Sequence, residues 1–162
     1  MKKITLFILI MFNFNFTFAE KAQKNIPGKL IGDWVLNCDN ENQKCIANQT
    51  IRIQEGAPIA MINVMHYDEN TILELVLPLM MNLTRPVQVE IDNNIVLKYP
   101  YNICTQIACY VVINNDKQLL DKLKIGKVAN VKTEGGDKRR FNFTFSLKGF
   151  AKSIEAIKYG LK

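Results

Sequence analysis

The 162 residues suffice for one ordinary domain with a real core, and 21 Lys and Arg against 15 Asp and Glu leave a formal net charge of +6. That excess is Lys-rich and scattered along the chain, which argues against a nucleic-acid interface. A lone histidine, His66, excludes a paired-histidine metal site and an HExxH helix.

At the N-terminus, Lys2 and Lys3 precede an apolar run over 4–16 that is interrupted by Thr5, Asn13 and Asn15. Thr17-Phe18-Ala19 follows and ends the run with small residues before a cleavage point ahead of Glu20. The run falls short of the roughly 20 apolar residues that a membrane-spanning helix needs. Residues 1–19 therefore read as a cleaved export signal rather than an anchor, and no lipobox cysteine follows them. Residues 20–162 are expected to form a single β domain with no transmembrane segment after signal cleavage. Export also argues against DNA or RNA as a partner.

Past the signal the hydrophobic pattern has mostly period two. Strands are expected at 34–38, 45–54, 59–67, 71–77, 87–91, 95–99 and 110–113. Turn signals separate several of them: Glu55-Gly56-Ala57-Pro58, Asp68-Glu69-Asn70 and Asp92-Asn93-Asn94. Met61 and Met65 share one face of the 59–67 strand and are assigned to the core. A hairpin is expected from 127–132 and 140–147 around Glu134-Gly135-Gly136-Asp137. Its second strand points Phe141, Phe143, Phe145 and Leu147 one way and Arg140, Asn142, Thr144 and Ser146 the other.

Two segments break the rhythm. Residues 115–124 place Leu119, Leu120 and Leu123 at helical spacing, with Asn115 or Asp116 as N-cap and Gly126 past the end. Residues 150–159 put Phe150, Ile154 and Ile157 on one face of a short amphipathic helix that covers the β core. The expected fold class is all-β, a mainly antiparallel β-sandwich or barrel with one or two short helices.

Four cysteines allow three pairings. Cys38 and Cys45 flank a polar stretch rich in turn formers, and Cys104 and Cys109 flank a shorter one, which favours local pairing. Each bridge would then be a structural staple worth about 2–2.5 kcal/mol by loop entropy. Neither spacing is Cys-x-x-Cys, and oxidised cysteines leave no thiolate for zinc.

Other chemistry is thin. The chain has no Gly-x-Ser-x-Gly elbow and no phosphate-cradling glycine loop. His66 reads as an ordinary edge or surface histidine. Asp68, Glu69 and Asp92 could pair as acid and base, yet as turn residues they need no such role. No cofactor and no metal is expected. Two features suit binding. Lys132, Lys138, Arg139 and Arg140 cluster around the 134–137 turn, where a basic tip could contact anionic lipid, lipopolysaccharide or glycan at about 1 kcal/mol per charge. Met80 and Met81 follow Pro78 and are expected at the surface as an adaptable apolar patch.

Four motifs in order carry a resemblance to a known family: Gly32-Asp33-Trp34 leading to Cys38 and Cys45; Leu77-Pro78-Leu79 to Val87-Gln88-Val89-Glu90-Ile91-Asp92; Cys104 to Cys109; and Ser146-Leu147-Lys148-Gly149-Phe150 before an apolar helix. Together they resemble the invasion-associated locus B family of exported alphaproteobacterial proteins. The resemblance implies one β-rich domain in the periplasm or outer envelope, or secreted. It implies a link to host-cell invasion or survival and no established enzymatic chemistry. It matches Cys38, Cys45, Cys104 and Cys109 to the family's cysteines, Trp34 to its core tryptophan, and Gly149 and Phe150 to the turn into the last helix.

The chain also departs from the family, with Met80, Pro86 and Ala108 standing where glycine is usual. Methionine and proline do not readily supply the positive φ of glycine, so the connection from Pro78 to Pro86 is expected to be shaped differently. The reading is a monomeric or weakly associating binding protein whose partner is a protein, lipid or glycan of the envelope or host surface. The alternatives are a periplasmic assembly or stress factor that captures partners by strand addition, and a hydrolase built on the turn carboxylates.

Overall fold

Period-two patterning is realised as two antiparallel sheets in a computed structural model that describes residues 28–39, 44–53 and 56–159. The expected export signal at 1–19 and the turn residues 40–43 lie outside the described residues. The chain runs β1 (Lys29–Ile31), β2 (Trp34–Cys38), β3 (Cys45–Arg52), β4 (Pro58–Tyr67), β5 (Asn70–Leu77), β6 (Val87–Ile91) and β7 (Ile95–Tyr99). It continues through β8 (Ile103–Cys104), β9 (Cys109–Asn114), α1 (Lys117–Ile125), β10 (Val128–Glu134), β11 (Arg140–Ser146) and α2 (Phe150–Tyr159). The larger sheet has the order β1-β2-β3-β4-β5-β9-β8 and the smaller one β11-β10-β6-β7. The expected fold class is the observed one, mainly antiparallel β with two short helices.

Side-chain alternation decides which faces meet. Trp34, Leu36, Ala47, Ile62, Val64, Leu73, Leu75 and Val111 point inward from the larger sheet. Val87, Val89, Ile91, Ala129, Val131, Phe143 and Phe145 do so from the smaller one, and all belong to one hydrophobic cluster with Leu119, Phe150 and Ile154 of the helices. α2 packs on β1 to β4 and on α1. One assignment is corrected here. Met61 and Met65 lie on the outer face of β4, because Ala60, Ile62 and Val64 face the core. Both parities of that strand are largely apolar, and each carries a polar residue, Asn63 with the methionines and His66 with Ala60, Ile62 and Val64, so polarity does not by itself mark the outward face.

The tight turns explain the strand order. Asp68 and Glu69 (φ 44° and 67°) join β4 to β5, and Asp92 and Asn93 (φ 50° and 60°) join β6 to β7. Two successive left-handed residues match the twist of the strands they connect, and Asp and Asn tolerate that conformation best after glycine. α1 starts at Asp116, whose carboxylate accepts the Leu119 N–H at 2.9 Å and the Tyr99 hydroxyl at 2.7 Å. These bonds, led by the Leu119 amide, hold the Asp116 carboxyl below the usual range. Burial, reinforced by Asp116, pushes the Tyr99 hydroxyl well up, so it remains a donor.

Both disulfides are local, Cys38–Cys45 and Cys104–Cys109. Each joins residues directly opposite across an antiparallel pair, with a Cα–Cα distance of 4.0 Å. The Asp39 N–H to Lys44 O bond and the Thr105 N–H to Ala108 O bond beyond them make each cysteine pair a non-hydrogen-bonded one. That pairing brings side chains closest.

The first and last motifs of the fold interlock. Gly32 (φ 62°) and Gly149 (φ 94°) cross backbone on backbone, and a Cβ on either would collide with the carbonyl of Lys148 or Ile31 respectively. The Trp34 indole N–H donates to the Ser146 carbonyl at 3.0 Å, and Gln49 both donates to that carbonyl and accepts the Ser146 N–H at 2.8 Å. The Ser146 hydroxyl donates to Asp33 at 2.6 Å, and the Trp34 and Phe150 rings meet edge to face at 5.0 Å. This latch ties the start of the larger sheet to the end of the smaller one.

Candidate functional site

On the smaller sheet the residues of outward parity are polar apart from Val96 and Val128. Register places Lys98 opposite Gln88, Gln88 opposite Lys132 and Lys132 opposite Asn142, a row crossing all four strands. Arg140 adds a further cation one step along β11, opposite Glu134. Arg85 arrives from the 78–86 connection. These side chains line a depression of about 740 Å³ with Pro86, Thr133, Glu134 and Phe141. Lys132 pairs with Glu90 at 2.8 Å. Among the described residues, Arg85, Lys98 and Arg140 have no carboxylate within ion-pair distance. Beneath the rim, the Tyr101 hydroxyl bonds to Thr133 at 2.6 Å. Burial raises the Tyr101 hydroxyl pKa, against a smaller lowering by that bond.

The connection that delivers Arg85 is held by the β10–β11 hairpin. Asn82 donates from its backbone N–H to the Glu134 carbonyl and from its side chain to the Glu134 carboxylate, both at 2.8 Å. The Gly136 N–H donates to the Met80 carbonyl at 2.8 Å, and Met81 bridges to Gly135. Met80 adopts φ 66°, a left-handed conformation that glycine reaches without cost. The two methionines part company. Met80 is 87% exposed beside Leu79 and Leu83, whereas Met81 is 8% exposed and packs inward. The expected patch thus loses Met81, because the left-handed bend at Met80 leaves that side chain in solvent while the bridge to Gly135 holds Met81 against the fold.

The expected basic cluster divides in the same way. Lys132 and Arg140 line the depression. Lys138 sits in the hairpin turn with φ 65°, and Arg139 pairs with Asp137 and lies over the Phe141 ring at 5.9 Å. Arg85 and Lys98 carry no signal in the sequence and Gln88 appears there only within the 87–92 motif, since only the fold brings them to Lys132 and Arg140.

A second depression of about 440 Å³ lies on the outer face of the larger sheet, lined by Ile59, Met61, Val76, Pro78, Ile107 and Tyr110 among others. Here register makes an apolar row of Met61, Val76, Tyr110 and Ile103. Ile103 is 60% and Ile107 79% exposed. The neighbouring row is polar, with Asn63 donating to Glu74 at 2.8 Å.

The turn carboxylates line neither depression. Asp92 is occupied as a backbone clamp, accepting from the N–H groups of Lys127 at 3.0 Å and Val128 at 2.9 Å. Asp68 and Glu69 are exposed on the β4–β5 turn. His66 bonds to Thr71 across the same hairpin at 3.3 Å. Among the described residues, no group of three or more His, Cys, Asp and Glu could hold a metal ion, and no helix is long and apolar enough to cross a membrane.

Residues 34–158 match the family model for the invasion associated locus B protein. The chain belongs to this family. The matched span runs from Trp34 into the last helix and so contains both disulfides, both depressions and most of the latch. The fold is similar to a crystal structure of invasion associated protein b from Bartonella henselae, with a TM-score of 0.71 and 19% sequence identity, covering 81% of this chain and 95% of that one. No curated protein matches the chain. At that identity the structural likeness speaks for the fold, while family membership rests on the sequence match.

Proposed function

We propose that this is an exported protein of the cell envelope that acts by binding an anionic component of the envelope or of a host surface. The reading is carried by one observation. Arg85, Lys98, Lys132 and Arg140 converge from four separate segments on one sheet face, and one of the four has a carboxylate partner. Export is supported by two disulfides, which persist in oxidising compartments, by the signal-like pattern of residues 1–19 and by the family. Binding rather than catalysis is supported by the turn carboxylates, which sit away from both depressions. The relative from Bartonella henselae is named as invasion associated, which favours a host-contact role for this chain too.

Each cation near an anionic surface contributes about 1 kcal/mol, so four together supply enough for salt-sensitive, reversible attachment. The test compares the mature chain with a variant carrying Gln at positions 85, 98, 132 and 140. A control loses four charges elsewhere, at Lys117, Lys124, Lys152 and Lys158. Binding to phosphatidylglycerol vesicles and to lipopolysaccharide is expected to fall roughly 100-fold or more in the first and far less in the second. Equal loss in both variants would reduce the effect to net charge and remove the depression as the site.

A further inference from the structure

We propose that the open edge of β11 receives an extended protein segment whose side chains alternate acidic and apolar, the acidic ones lying over the basic depression. This rests on the reading of that depression as the binding face, and names its partner more closely.

The edge is defined by hydrogen-bond parity. The Gly135 N–H to Arg139 O bond at 2.8 Å and the Leu147 N–H to Lys127 O bond at 2.9 Å bracket the β10–β11 ladder. Between them Phe141, Phe143 and Phe145 exchange bonds with β10. Arg140, Asn142, Thr144 and Ser146 turn their backbone groups the other way. At Ser146 those groups are taken by Gln49 and Trp34. At Arg140, Asn142 and Thr144 they have no partner among the described residues. Of the four sheet-edge strands β11 is the longest, with 7 residues against 3 in β1, 2 in β8 and 5 in β7.

Chemistry selects the occupant. A strand added to β11 puts every second side chain on the outer face, opposite Arg140, Asn142 and Thr144, with Lys132, the register partner of Asn142, one strand further in. Carboxylates there meet the cations of the depression. The alternate side chains fall beside Phe141 and Phe143, of which Phe141 is half-buried. A second copy fits poorly, because β11 reads Arg-Phe-Asn-Phe-Thr-Phe-Ser, with no acid to offer the cations. Pairing two such edges would juxtapose two basic faces.

The probe is a short capped peptide alternating Glu and Val, compared with a peptide of the same composition in two blocks and with a Lys–Val alternating one. The alternating acidic peptide is expected to bind and to slow hydrogen exchange at the amides of Arg140, Asn142 and Thr144. Asn142→Pro removes an N–H that points away from β10, a position where an edge strand tolerates proline. It is expected to weaken peptide binding at least roughly tenfold relative to Asn142→Ala, which loses the same side chain but keeps the N–H. Arg140→Glu is expected to switch preference to the Lys–Val peptide, and decides the matter should Asn142→Pro not fold. Equal binding of the block peptide, full binding by Asn142→Pro, or no switch in Arg140→Glu would each overturn the proposal. So would protection of the three amides by vesicles alone, which would make lipid the occupant. Loss of vesicle binding in the four-charge variant with no peptide binding by the unaltered chain would sink strand addition and leave the anionic-surface reading standing.

Discussion

The two sheets are built on the same two-residue period, yet their outer faces carry opposite chemistry. On the smaller sheet every outward position in the row from Lys98 to Asn142 is polar or charged, and every inward neighbour is apolar or a satisfied threonine. On the larger sheet the outward row of Met61, Val76, Tyr110 and Ile103 is nearly as apolar as the core row beneath it. An antiparallel sheet with one solvated face normally alternates cleanly. The smaller sheet does so along this row, and Lys98 and Arg140 carry no ion pair among the described residues. The larger sheet keeps apolar surface in water, and the one charged residue lining its depression, Glu74, accepts a hydrogen bond from Asn63. The cations that the proposed recognition needs therefore gather on one face and not the other.

The comparison breaks most sharply if the sheets are no longer held back to back. Gly149→Ala places a Cβ against the Ile31 carbonyl at a left-handed φ of 94° and is expected to cost about 3 kcal/mol or more in chemical denaturation. Next comes the assignment of faces. Leu75→Ala, on the inner face of β5, should cost about 3 kcal/mol, and Val76→Ala, one residue on but outward, about 1 kcal/mol or less. Similar costs for the two would mean that the outer face of the larger sheet is as closely packed as the core.

Smaller effects concern the elements flanking the basic face. Asp116→Ala removes the α1 cap and is expected to cost about 1 kcal/mol, with Asp116→Asn much closer to the unaltered chain. The folded-state carboxyl lies below its ordinary value, so its contribution is present above about pH 3.9 and is lost as pH falls through the lowered value. Acid titration of stability should show this loss in the unaltered chain and not in Asp116→Ala. Met80→Gly relieves a left-handed side-chain residue and pays part of that back as backbone entropy, for a net gain of about 0.5–1 kcal/mol in thermal unfolding.

Much of the fold was legible because β11 and α1 are strongly patterned: Phe alternation in one, three leucines after a capping aspartate in the other. β1 and β8 were missed because strands of 3 and 2 residues have no period to read. Met61 and Met65 were placed inside because both parities of β4 are largely apolar and each carries one polar residue, Asn63 or His66. The two methionines after Pro78 were treated as one patch, and the left-handed bend at Met80 that separates them has no signal in a methionine. At the candidate site, Lys132 and Arg140 stood out through their neighbours in sequence. Arg85, Gln88 and Lys98 had no such neighbours, and their meeting depends on the β7-β6-β10-β11 order. Gly32 and Gly149 each lay in a recognisable motif, but their crossing is a property of the folded chain, as is the part played by Gln49.

The central claim is that the smaller sheet's outer face is the one that binds. It is tested most directly by following backbone amide shifts of residues 20–162 while an anionic ligand, phosphatidylglycerol in micelles, is added. The account predicts changes centred on Lys98, Gln88, Lys132, Arg140 and Asn142, with Met61, Val76 and Tyr110 unmoved. Changes centred on Met61, Val76 and Tyr110, with the basic row silent, would contradict it.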